Sequence, residues 1–93
     1  MSNSIAIKED LLLDKNLKPQ EVYLFLYLIR LCDKQTGIIT ISGVELMKET
    51  RMTNKGIMLG YVNSLVDNGY IERLEKVDKK STYKVNREHY FKW

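Results

Sequence analysis

Ninety-three residues, 44% hydrophobic and 29% charged, are enough for one small globular domain and not for two. The single cysteine, Cys32, excludes an internal disulfide and fits a reducing, cytoplasmic setting; the longest apolar run, Val22 to Leu31, is broken by Arg30 and falls far short of the roughly 20 residues of a bilayer span. The net charge of +3 is unevenly spread, with six Lys/Arg against seven Asp/Glu in residues 1–50 and nine against five in residues 51–93, so the basic surface belongs to the C-terminal half.

In chain order, residues 1–17 read as an arm. Ile5 and Ile7 alternate weakly as in a short strand, a leucine triplet follows, and Asp14 to Asn16 form a turn. Met1 to Asp10 is polar and acidic, unlike a cleavable leader. The segment "KPQEVYLFLYLIRLCDK" predicts a first helix over 18–34. Pro19 suits its first position, Gln20 and Glu21 favour the positive end of the dipole, and Lys34 favours the close. Because Val22 to Ile29 is apolar or aromatic throughout, this helix must be covered on more than one face, by the arm or by a second subunit. Cys32 is expected in the core.

"GIITIS" predicts a short β-branched strand leading to Ser42, which caps a second helix, with Glu45 three residues on completing a capping box. After a brief turn at Arg51 and Met52, Thr53 or Asn54 caps a third helix that runs to about Asn68, with Gly69 supplying the left-handed residue beyond its end. "YIERLEKV" and "STYKVN", separated by the polar "DKKS", read as a hairpin over 70–86, and "REHYFKW" is an aromatic, basic tail over 87–93.

A helix, a short strand, two helices joined by a tight turn over 42–68 and a basic hairpin make an α+β, mainly α, layout. With "ISGVELMKETRMTNKGIMLGYVNSLVDNGYIERLEK" following "LLLDKNLKPQEVYLFLYLIRL", it resembles the winged helix-turn-helix domains of phage and plasmid replication, partition and regulatory proteins. The resemblance implies three helices with a two- or three-stranded antiparallel wing sheet. It also implies double-stranded DNA as partner, a homodimer, and a replication or partition protein as a further partner. On it, Val62, Leu65 and Ile71 are core. Thr53, Asn54 and Lys55 meet base edges and phosphates, Asn54 pairing bidentately with adenine and Lys55 taking guanine or phosphate. Ser42, Lys48 and Arg51 approach phosphates, and Lys76, Lys79, Lys80 and Lys84 lie along the minor groove as the wing. Two positions depart from the pattern. Lys18 is a poor cap for the first helix, and the outward positions of the third, Ile57 or Met58, Leu59 and Gly60, carry no charge.

Gly56 and Gly60, four apart, lay bare one stripe of that third helix at a cost of about 1 kcal/mol each relative to alanine. Three occupants are open: the DNA backbone, the same helix of a second subunit bordered by Leu59 and Met58, or the domain's own bulky side chains such as Tyr61 or Tyr23. A conventional dimer contact instead uses the first helix, the arm and the tail residues Tyr90, Phe91 and Trp93. A fold that keeps this shape as a protein-docking module without DNA binding is the alternative function. Catalysis and cofactors are not expected. His89 is the only histidine, "GIMLG" lacks the Gly-Lys-Ser/Thr of a phosphate loop, and no pair of His and Cys has ligand or nucleophile spacing.

Overall fold

The computed structural model describes residue 11 and residues 13–86. Its elements are α1 (Pro19–Leu31), β1 (Ile38–Ile41), α2 (Gly43–Thr50), α3 (Lys55–Asp67), β2 (Ile71–Val77) and β3 (Lys80–Val85). The strands form one antiparallel sheet in the order β1-β3-β2, the topology of a winged helix. The arm residues 1–10 and the tail, with Tyr90, Phe91 and Trp93, lie outside the described residues.

In α1, Pro19 occupies the first turn and Glu21 Oε1 accepts from the Lys18 backbone N–H at 2.8 Å. The acidic residue three places on therefore supplies the cap that the Lys18 side chain cannot. Glu21, Leu24, Phe25, Leu28 and Ile29 are buried, one face repeating at three and four residues, and the helix packs across α3 and α2. It ends at Leu31 rather than 34. The Asp33 carboxylate captures the backbone N–H groups of Gln35 and Thr36 at 2.7 and 3.1 Å, which turns the chain, while Lys34 reaches back to the Arg30 carbonyl at 2.8 Å. Lys34 thus closes the helix from outside it.

The segment before α1 packs into the same core. Leu11 and Leu17 join the buried cluster, and the Tyr70 hydroxyl donates to Asp14 Oδ2 at 2.5 Å, fastening the segment before α1 to the turn between α3 and β2. Leu11 and Leu13 are helical, where a strand or extended arm is expected from the sequence. A leucine triplet has no period that distinguishes the two conformations.

Cys32, Val62, Leu65 and Ile71 are buried as expected, and Phe25 meets Tyr70 edge-on at 5.3 Å between ring centroids. Gly69, at φ 80°, ends α3 in the left-handed conformation, and the Tyr70 N–H bonds back to the Leu65 carbonyl. Strand β3 lies between its neighbours, pairing Ile39 with Tyr83 on one side and Arg73 with Tyr83 on the other. Strand β2 is an edge. Only Ile71 of its seven residues is buried, and its register shifts between Leu74 and Val77, so the outer end of the hairpin twists away from the core. The hairpin closes through Asp78 and Lys79, at φ 50° and 67°, between the paired residues Val77 and Lys80. Two successive positive φ values are the signature of a type I′ turn.

Candidate nucleic-acid interface

The capping box at α2 forms as expected. Ser42 Oγ accepts from the Glu45 N–H at 3.1 Å, and Glu45 Oε1 accepts from the Ser42 N–H at 3.3 Å. The same carboxylate then takes Lys80 Nζ at 3.2 Å, so the wing turn is tied to the first turn of α2. The Ser42 backbone N–H and then Lys80 hold Glu45 below the ordinary carboxylate range.

Helix α3 starts beside this corner. A Cβ added at Gly43 would stand 3.0 Å from Lys55 Cε, so the Lys55 stem runs over the bare backbone that opens α2. Ser42, Lys55 and Lys80 are thereby gathered at one end of the molecule, where the starts of α2 and α3 meet the wing turn. Lys79 is adjacent, and Lys76 lies in the shifted stretch just before the turn.

Asn54, rather than Thr53, caps α3. Its Oδ1 accepts from the Ile57 N–H at 3.0 Å. One of the two atoms needed for bidentate pairing with adenine is therefore engaged in the fold. Thr53, Asn54 and Lys55 are all exposed.

Of the expected basic contacts, Lys84 stands apart from the corner, and Arg51 lies in the cleft beside the start of α3. Lys84 pairs in register with Ile38 and Glu72 at the base of the sheet, about 16 Å of strand from Lys79. Arg51 closes α2 in the left-handed conformation, φ 60°, and turns toward two tyrosines of α1 that the sequence did not mark as site residues. Tyr23 and Tyr27 stand edge to face at 5.1 Å, and the Tyr23 hydroxyl donates to the Thr50 carbonyl at 3.1 Å. The neighbouring Tyr23 hydroxyl, and next the Arg51 guanidinium, lower the pKa of Tyr27 from the ordinary tyrosine value, and Tyr27 in turn raises that of Arg51. Arg51 is thus anchored across the joint between α2 and α1. Lys48 is exposed on the last turn of α2.

The outward face of α3 differs from the sequence expectation at one residue. Met58 is fully buried, packed with Val62 and Leu65, so Ile57, 53% exposed, and Leu59, 36% exposed, are the side chains that border the bare stripe. Gly56 and Gly60 both lie on the surface. Among the described residues, a Cβ at Gly60 would meet nothing within 4 Å, and one at Gly56 only Asn54 Oδ1 at 3.4 Å. The reading in which these glycines make room for Tyr61 or Tyr23 of the same domain is therefore corrected. Alongside, Gln20, Tyr23, Arg51, Asn54, Ile57 and Tyr61 line an open cleft between α1 and the start of α3. On the other flank Arg73 of β2 donates to Asn63 Oδ1 at 2.7 Å, bracing the wing on α3.

No known protein family, curated protein or solved structure matches the chain. Among the described residues, no group of three His, Cys, Asp or Glu side chains could hold a metal ion, and no helix is long and apolar enough to cross a membrane.

Proposed function

We propose that this chain is a sequence-specific double-stranded DNA-binding protein that acts as a homodimer on a plasmid or phage operator, origin or centromere, as a regulator or as a replication or partition adaptor. The observation that carries the reading is the corner where the starts of α2 and α3 meet the wing turn, with Lys55 over Gly43 and Lys80 on Glu45. Two helix starts and a group of lysines present partial and full positive charge to the same region, which suits a phosphate backbone. A helix that begins at such a corner is placed to enter a major groove while the hairpin tracks the backbone beside it. The choice of plasmid or phage, and the replication or partition partner, rest on the resemblance of the helix-turn-helix and wing sequence. Self-association would use the bare stripe of α3, or α1 with the tail.

A protein-docking module without DNA binding is the second reading, favoured by the apolar residues Ile57 and Leu59 on the exposed face of α3. Reversing charge at the wing turn, with Lys79→Glu and Lys80→Glu together, separates the two. Loss of duplex binding by a folded variant supports DNA; a wild type that binds no duplex even at low salt supports docking.

A further inference from the structure

We infer that α3 reads thymine methyl groups, so that the target is a duplex whose specificity lies in the 5-methyls of thymines in the major groove. The inference rests on the DNA-binding reading above and names the feature of the duplex that this helix recognises.

Between Lys55 and Asp67, α3 carries no charged residue. The side chains it exposes beside its first turns are Ile57 and Leu59, one on each flank of Gly56 and Gly60. A helix with side chains is about 10–12 Å across, close to the roughly 12 Å width of the major groove. Bare backbone along the centre of the face lets the helix seat deeper than side chains there would allow. At that depth Ile57 and Leu59 become two apolar rails against base edges. Hydrogen-bonding atoms on every base would be left unsatisfied by them, and the thymine methyl is the one apolar group that the groove offers.

The surroundings argue for DNA as the occupant of this apolar face. Lys55 lies at its entrance, Lys79 and Lys80 stand at the wing turn, and Thr53 and Asn54 are exposed just before it, so the apolar rails are bordered by groups that suit phosphates. Asp67, on the same face and about 10 Å beyond Gly60, repels phosphate and confines contact to the first turns. The Asn54 cap points the same way. With its oxygen accepting from the Ile57 N–H, the Asn54 side chain is held at the helix start, and the exposed large side chains of the first turns beyond it, Ile57 and Leu59, are apolar. Giving this face to DNA leaves self-association to α1 and the tail.

The test alters the DNA and leaves the protein intact. Duplexes enriched by the full chain from a random-sequence library are resynthesised with deoxyuridine in place of thymidine, which removes only the methyls. Affinity should fall roughly fourfold for each methyl buried, and Ile57→Ala, at an exposed position, should reduce that dependence. Equal affinity for the thymidine and uridine duplexes overturns the inference while the DNA-binding reading stands. A library that yields no enriched duplex overturns both. If the uridine duplex binds equally well and Gly60→Leu converts a dimer to a monomer, a second copy of the chain is the occupant of this face instead.

Discussion

Replacing Lys79 by glycine should make the protein more stable and a weaker DNA binder at once. Lys79 holds φ 67° as the second residue of the wing turn, a left-handed conformation that costs a side-chain-bearing residue about 1–2 kcal/mol. Glycine removes that cost but has more freedom to lose on folding, about 0.5–1 kcal/mol, so the net gain is about 0.5–1 kcal/mol. For a domain of this size the gain corresponds to a rise in Tm of about 2–8 °C. The side chain is exposed, so no packing is lost with it. If Lys79 meets a phosphate, its loss should also reduce the slope of log K against log salt by about 0.9. Thermal unfolding followed by circular dichroism reads the first quantity, and anisotropy titrations across a salt series read the second. A variant no more stable than the parent would refute the account of the turn. A stabilised variant with an unchanged salt slope would remove Lys79 from the interface.

Met58→Ala should destabilise the fold by about 2–5 kcal/mol in denaturant titration, because the side chain is fully buried; a cost below about 1 kcal/mol would mean that α3 is rotated from the orientation described. Asn54→Ser should keep the cap and hence the stability to within a few tenths of a kcal/mol, whereas Asn54→Ala should lose about 1 kcal/mol; equal stability of the two would show that the bond to the Ile57 N–H contributes nothing. Glu45 has a folded pKa below its ordinary value of about 4.5, so its contribution is fully present above that pH and is lost as pH falls through the lower folded value. The stability difference between wild type and Glu45→Gln should therefore shrink in acid, and a difference that stays constant from pH 7 to pH 3 would contradict the tie to Ser42 and Lys80.

The elements with local signals were legible in the sequence. Pro19, the Ser42 and Glu45 pair and Gly69 act within one helical turn of their own positions, and the run at Ile38 to Ile41 is β-branched throughout, so each marked its element. The sequence pattern overruns the end of the first helix because Lys34 signals a helix end from either side of it; only the Asp33 turn decides where the chain leaves. Met58 could not be placed from the pattern, because "GIML" sets apolar residues at every angle around α3 and no period selects the buried one. The contacts that build the corner were invisible for a different reason. Lys80 meets Glu45 and Tyr23 meets Thr50 across separations of 35 and 27 residues, and no local rule connects such positions. The same limit applies to Lys84 and Arg51. They are basic residues in the right segments, yet sheet register carries one to the base of the wing and the tyrosines of α1 anchor the other.

The central claim is DNA recognition through the corner formed by α2, α3 and the wing. Its most direct test is a fluorescence anisotropy titration of the full chain against duplexes from the region flanking its own gene, at two salt concentrations, with a scrambled duplex of the same composition beside them. The account predicts tight binding to one segment, markedly weaker binding to the scrambled duplex, and a steep loss of affinity at the higher salt. Weak binding of equal strength to both duplexes would contradict it.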